Sequence, residues 1–222
     1  LNTFAAYSTS FKPVGINLGG LPRAGGETMI ELARIKPEYV THIEVGVKTT
    51  PAPRSIINVV IHNTDIKDYQ TLVQTPDLSV NRGYLANAGK VRVRGAELDA
   101  SIRINEGLSF YAALAYTDGK YITFTNPPPP LEETGGETFK DISGGNLPGI
   151  SKWAGSFGGE ITSNTLKAFG QDGKVFFAFD TYYRSSFSSS PSPSNYLNID
   201  GYALFNARAG FRAAAGLSIS LW

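Results

Sequence analysis

Wherever this chain shows a pattern, the pattern repeats every two residues. In Leu108–Tyr116, Leu108, Phe110, Ala112, Leu114 and Tyr116 share one side, with Ser109, Tyr111, Ala113 and Ala115 on the other. The same alternation runs through Ile43, Val45 and Val47, through Ala203, Phe205, Ala207, Ala209 and Phe211, and through Leu217, Ile219 and Leu221. Side chains on a strand point alternately to opposite faces, so this period predicts strands with one apolar face and one small or polar face. Glu27–Ile35 is the single helix candidate, with mixed apolar spacing and a stop before Pro37.

Asn87–Ile104 departs from strict alternation. Val91 and Val93 are apolar at odd positions, whereas Leu98, Ala100 and Ile102 are apolar at even ones. One extra residue near Gly95 and Ala96 reconciles the halves, because a bulge flips side-chain parity and glycine accommodates its backbone angles. Two short strands meeting at a bend is the alternative. With the bulge, Lys90, Arg92, Arg94, Glu97, Asp99 and Arg103 fall on one face and become candidates to line a polar interior.

The connections alternate in length. Short ones occur at Thr50–Pro53, Ile104–Gly107 and Ala213–Ala215, and long ones at Lys12–Tyr39, Thr71–Ala86, Asp118–Pro148 and Ser185–Asp200; Thr162–Gly173 is intermediate. Strict alternation puts every long loop at one end of an antiparallel sheet. That is the plan of an outer-membrane barrel, with short turns on one side, long loops on the other and aromatic girdles between. Tyr7, Phe11, Tyr69, Tyr116, Tyr121, Tyr183 and Phe187 lie where strands enter the long loops and are the predicted girdle. No apolar run approaches the roughly 20 residues of a membrane-spanning helix. The fold class read from these features is all-β, an antiparallel transmembrane β-barrel, with a soluble β-sheet as the alternative.

Composition excludes other classes. The 20 basic and 19 acidic residues among 222 give a net charge of +1, with no basic footprint for nucleic acid. Zero cysteines remove disulfide scaffolds and thiol chemistry. His42 and His62 lie on adjacent predicted strands, where hydrogen bonding is the favoured role over metal ligation. Asp65 and Asp68 lack the alternating oxygen ligands of a calcium loop. Gly15–Gly26 lacks the features of a phosphate-binding loop. Pro127–Pro130 predicts a stiff polyproline II stretch, and Ser185–Ser194 a flexible loop. There are no candidate catalytic residues, so the chain reads as a non-enzyme, with no cofactor and no metal site.

Several segments resemble, in order, the barrel of TonB-dependent outer-membrane receptors. They are Tyr7–Asn17, Lys36–Lys48 with its Pro37-Glu38 and Glu44-x-Gly46-x-Lys48, Asp65–Gln70, Asn87–Lys90 through Gly95–Asp99, Leu147–Trp153, and Leu204–Arg208. His42 and Ser151 depart from the family pattern.

The resemblance implies active transport of a scarce ligand across a bacterial outer membrane, most often a ferric siderophore. The implied partners are outer-membrane lipid, the ligand, and an energy-coupling TonB complex acting through a plug domain, with no nucleic acid. Family barrels have 22 strands, and 222 residues hold about nine or ten. The sequence is therefore expected to be the C-terminal part of such a barrel, incomplete, without the plug. A small complete pore or adhesin barrel, or a soluble β-domain binding a partner through its loops, is the alternative.

Overall fold

The computed structural model of the chain describes residues 1–18, 21, 23–24, 27–74, 83–133, 137 and 139–222. Parts of Gly15–Gly26 and of the Thr71–Ala86 connection lie outside the described residues. Ten strands form one antiparallel sheet: β1 (Asn2–Lys12), β2 (Glu38–Thr49), β3 (Ser55–Gln74), β4 (Gly83–Asn105), β5 (Leu108–Thr123), β6 (Trp153–Thr162), β7 (Leu166–Ala168), β8 (Gln171–Arg184), β9 (Tyr202–Ala213) and β10 (Ser218–Leu221). Each pairs with its neighbour in sequence, except that β7 folds back onto the start of β8 while β6 pairs with β8 directly. Among the described residues the sheet is open, with β1 and β10 at its edges. The helix expected over Glu27–Ile35 is a single 3-10 turn, Ile30–Ala33, flanked by two-residue strands. Its apolar residues do not form one helical stripe, so nothing rewards a longer helix.

All short connections sit at one end. Asn105 Oδ1 accepts the Gly107 N–H at 2.8 Å, and the Ala52 N–H donates to Ser55 Oγ at 2.9 Å. The intermediate link resolves into β7 and a tight turn in which Phe169 and Gly170 take φ of 52° and 73°. Gly216, at φ 94°, closes the last hairpin with a backbone that other residues adopt only under strain. Arg54 and Glu106 form an ion pair that joins two adjacent turns.

The register corrects the predicted bulge. β3 and β4 pair without a shift through His62↔Gly95, and β4 and β5 without one through Gly95↔Thr117. The β4–β5 shifts fall instead at Lys90/Val91 and Arg103/Asn105. Strict alternation through Gly95 therefore places Lys90, Arg92 and Arg94 on the face of Leu98, Ala100 and Ile102, opposite Glu97, Asp99 and Arg103. A change of face does occur higher up. Ala88 and Val91 both enter one buried cluster, and between their levels Asp68 takes φ 52°. A left-handed residue in a strand redirects the side chains that follow it, so parity switches at the Asp68–Gly89 level.

Below that switch the faces differ sharply. One carries Ile43, Val45, Ile57, Val59, Ile61, Ile102 and Leu114, all more than a third exposed, with Leu98 half-buried among them. A phenylalanine row crosses it from β5 to β9, with ring separations of 6.1 Å for Phe110–Phe157, 5.5 Å for Phe157–Phe179 and 6.5 Å for Phe179–Phe205. On β8 the band runs from Val175 to Tyr183. At about 3.3 Å per residue and a tilt near 40°, that spans about 20 Å of height, close to the apolar band of an outer-membrane barrel. At the loop end of this face stand Tyr7, Phe11, Tyr39, Tyr116, Trp153 and Tyr183. The predicted girdle holds for four of its seven members. Tyr121 is fully buried and Tyr69 packs beside it under the loops, while Phe187 lies 3.8 Å beneath the Arg184 guanidinium. Aromatics near strand ends serve either a lipid boundary or a loop core, and sequence position alone does not separate the two.

At the long-loop end the connections pack into a layer of their own. Its core is Val73, Tyr84, Ala88, Val91, Tyr121, Phe124, Ile142 and Leu147. Pro127–Pro130 are buried within this layer, where the Pro127 carbonyl accepts the Lys140 N–H at 2.9 Å and the Pro128 carbonyl accepts Ser192 Oγ–H at 3.0 Å. The serine-rich segment, expected to be flexible, is pinned there, with Ser192 and Ser194 buried and successive Ser hydroxyls closing local turns. The proline run thus acts as a preordered strut between two loops.

Two outcomes follow. A Cβ added at Gly95 would lie 2.3 Å from the Tyr116 carbonyl oxygen and 2.8 Å from His62 Nε2; Gly95→Val should therefore destabilise the sheet by about 1–3 kcal/mol, read as a lower urea midpoint in detergent. Burial pushes the Tyr84 and Tyr121 phenols up to about 12. Their contribution to the loop layer is fully present below the ordinary tyrosine value near 10 and is lost as pH rises toward 12. Ultraviolet titration should show Tyr84 and Tyr121 ionising only together with loss of the loop layer.

Candidate functional site

Two regions of the molecule carry chemistry, the polar face of the sheet and the loop layer above it. The polar face combines small residues with spaced polar pairs. Arg212 Nη2 donates to Glu160 Oε2 at 2.8 Å, with its guanidinium 3.8 Å over the Phe176 ring. Asn206 Nδ2 donates to Asp180 Oδ2 at 2.8 Å. His42 Nδ1 and Thr64 Oγ1 share a hydrogen bond of 2.8 Å, and the His42 and His62 rings stack with centroids 6.2 Å apart. Glu44 lies 3.5 Å from His42 Nε2, and Glu97 lies 3.9 Å from His62 Nε2. Strand alternation aims all these groups to one side, where glycines at 46, 95, 158 and 210 keep the surface low.

Asn17, Gln70, Glu38 and Asn87 anchor the loop layer to the sheet. Asn17 donates through Nδ2 to the Leu32 and Leu85 carbonyls at 2.9 and 2.8 Å, and its Oδ1 accepts the Leu85 N–H at 2.9 Å. Gln70 Nε2 donates to the Pro13 and Lys36 carbonyls at 2.9 and 3.0 Å, and its N–H donates to Glu38 Oε2 at 2.8 Å. Asn87 Oδ1 accepts the Lys36 N–H at 2.8 Å, while its Nδ2 donates to the Asp68 carbonyl at 2.7 Å. Backbone groups of an irregular loop must find partners when buried, and these side chains supply them. Beside them opens a cleft of about 350 Å³ lined by Glu31, Arg34, Lys36, Asp68, Tyr84 and Asn87. A second cleft, of about 340 Å³, lies between Asp118, Asn146, Lys152 and Ser185–Ser188. Charged and amide groups of both signs around an apolar floor suit a polar, partly charged small molecule.

The six candidate lining residues are thus divided. Glu97, Asp99 and Arg103 are on the polar face. Lys90, Arg92 and Arg94 are on the opposite side, a correction that follows from the unbroken register at Gly95. There Arg92 Nε donates to Asp65 Oδ1 at 2.8 Å, Lys90 Nζ lies 3.5 Å from Asp65, and Arg94 Nη2 lies 3.2 Å from Asp118. Asp65 therefore faces two cations, and Asp68 faces Lys36 at 4.0 Å. The anchoring amides Asn17, Gln70 and Asn87 carry no local motif of their own. Each lies within a segment that resembles the family barrel, and that resemblance is the signal the sequence offers for them.

Comparison with solved structures places the fold. The ferric yersiniabactin uptake receptor FyuA from Yersinia pestis matches with a TM-score of 0.65 at 18% identity, covering 98% of this chain and 28% of its own. The siderophore receptor PiuA from Acinetobacter baumannii gives 0.62 at 18%, with 98% and 28% covered. The copper transporter OprC gives 0.63 at 14%, with 98% and 30% covered. The chain thus spans less than a third of the length of the solved chains it matches. The model of the TonB-dependent receptor-like β-barrel matches residues 1–222, and on that match, with its apolar-out, polar-in antiparallel sheet, the chain belongs to the TonB-dependent receptor β-barrel family.

Proposed function

We propose that this chain forms part of the wall and mouth of an active transporter in a bacterial outer membrane, and that its ligand is a ferric siderophore. Energy would come from the inner membrane through a TonB complex acting on a plug domain, carried by a part of the protein outside this sequence. Members of the family are outer-membrane transporters and not enzymes. The observation that carries the reading is the division of one sheet into an apolar face and a polar face, topped at one end only by a packed loop layer. Such a wall suits a lipid exterior and a wet interior, and the loop layer gives a selective entrance.

The ligand class rests on the solved relatives. Of the three named above, one is described as a ferric yersiniabactin uptake receptor, one as a siderophore receptor and one as a copper transporter. The mixed-charge cleft of Glu31, Arg34, Lys36 and Asp68 at the mouth is compatible with a chelate that presents both carbonyl or hydroxyl oxygens and charge. In this reading Glu97, Asp99 and Arg103 line the passage, with the Glu160–Arg212 pair beyond them.

Cells lacking the gene should lose uptake of a radiolabelled ferric siderophore, regain it on complementation, and lose it again with a protonophore. Uptake that survives the protonophore, with steady ion conductance by the purified protein, would indicate a passive pore instead. In the same assay Glu97→Gln with Asp99→Asn should slow uptake while leaving surface binding of the chelate unchanged.

A further inference from the structure

Near the short-turn end of the polar face, three aromatic side chains each face a glycine directly across the ladder. Phe4 on β1 pairs with Gly46 on β2, Tyr111 on β5 with Gly158 on β6, and Phe176 on β8 with Gly210 on β9. A Cβ added to these glycines would lie 2.5 Å from the Phe4 ring, 2.5 Å from the Tyr111 ring and 2.8 Å from the Phe176 ring. Each ring therefore lies across the neighbouring strand, in space that only glycine leaves open. Glycine weakens a strand interior, so its repetition opposite aromatics marks a close approach that outweighs the lost strand propensity.

Two of the rings are held down by cations. Lys48 Nζ lies 5.4 Å from the Phe4 centroid, and the Arg212 guanidinium lies 3.8 Å from that of Phe176. Tyr111 has no such cover among the described residues and is 44% exposed. The three atoms nearest a Cβ at Gly158 all belong to its side chain, so the bare glycine alone lets this ring lie low. Beside it opens a niche of about 300 Å³ lined by Ser109, Glu160, Asp180 and Arg208. Asp180 is the other cross-strand partner of Gly158, so a ring raised from Gly158 would stand at the edge of the niche. The mirror image occurs one residue away on the lipid side. Gly159 pairs with Phe110, and a Cβ there would lie 2.5 Å from the Phe110 ring and 2.9 Å from the Ser109 carbonyl oxygen. The same crowding can thus be introduced on either side of one strand.

We propose that Gly158 is a positioning residue for transport: it keeps the Tyr111 ring flat against the wall and so sets the free width of the passage beside the Glu160, Asp180 and Arg208 niche. The inference rests on the transport reading above, in which this face lines the passage.

The test uses cells producing the protein from its own gene, with a radiolabelled ferric catecholate and a radiolabelled ferric hydroxamate as probes. Gly158→Ala forces the ring off the wall, and a cargo that must push it aside meets the penalty of an overpacked site. Uptake of the transported probe should fall about tenfold while its surface binding stays unchanged. Removing the ring as well, in Gly158→Ala with Tyr111→Ala, should restore uptake. Gly159→Ala, which crowds Phe110 toward lipid, should lower the urea midpoint comparably and leave uptake unchanged. A structure of the purified Gly158→Ala protein should show Tyr111 turned away from β6 with the strand register intact. Should that variant fail to fold, Tyr111→Phe, whose ring still lies flat, should keep full uptake, and the branched side chain of Tyr111→Leu should cost part of it. An unmoved ring, equal slowing by Gly159→Ala, no recovery in the double variant, or equal uptake by Tyr111→Phe and Tyr111→Leu would overturn the proposal. Wild-type cells that take up neither probe would overturn the siderophore reading, while the ring position in Gly158→Ala still decides the positioning role.

Discussion

Backbone hydrogen bonding is the constraint on which the rest of this molecule depends. A chain crossing hydrocarbon has no water to satisfy its N–H and C=O groups, so each strand must find them partners on its neighbours. The long continuous registers, 11 pairs between β1 and β2 and an unshifted ladder between β3 and β4 through Gly95, meet that demand. Side-chain choice then has only two directions to work with. Bulk and apolarity go to one face, and glycine, serine and spaced charge pairs to the other, because the backbone has already fixed which residues point where.

This explains what was legible in the sequence and what was not. Strand positions, the alternation of short and long connections and the all-β class follow from period two and turn chemistry. The facing of Lys90, Arg92 and Arg94 does not. Parity in the sequence reports polarity, and polarity reports face only while the surroundings of each face stay constant. Along β4 they do not: the side that meets lipid at Leu98 and Ala100 stands beyond the aromatic edge at Arg92, while the side that is polar at Glu97 is covered by loops at Val91. Between Val91 and Arg103 the strand inverts its polarity pattern with no register shift. The two readings predict the same sequence, and only the cross-strand register tells them apart.

The loop layer was the least legible part. Proline and serine runs read as stiff or flexible exposed segments, yet Pro127–Pro130 and Ser192 are buried against each other. A serine hydroxyl supplies the donor that a proline-rich strand lacks, and a polyproline segment offers unpaired carbonyls to receive it. Such pairing joins segments 64 residues apart, beyond the reach of local pattern. The amides Asn17, Gln70 and Asn87 act likewise over long separations, so no local pattern marks them.

The left-handed residue at Asp68 has a wider meaning for how such a molecule can change. It divides β3 and β4, the two longest strands, into a lower part whose facing is dictated by the membrane and an upper part whose facing is dictated by the loops. An insertion or a new side-chain pattern above the division alters what the mouth presents without transmitting a frame shift to the wall. One fold can in this way keep a fixed sheet while its loop end is rebuilt.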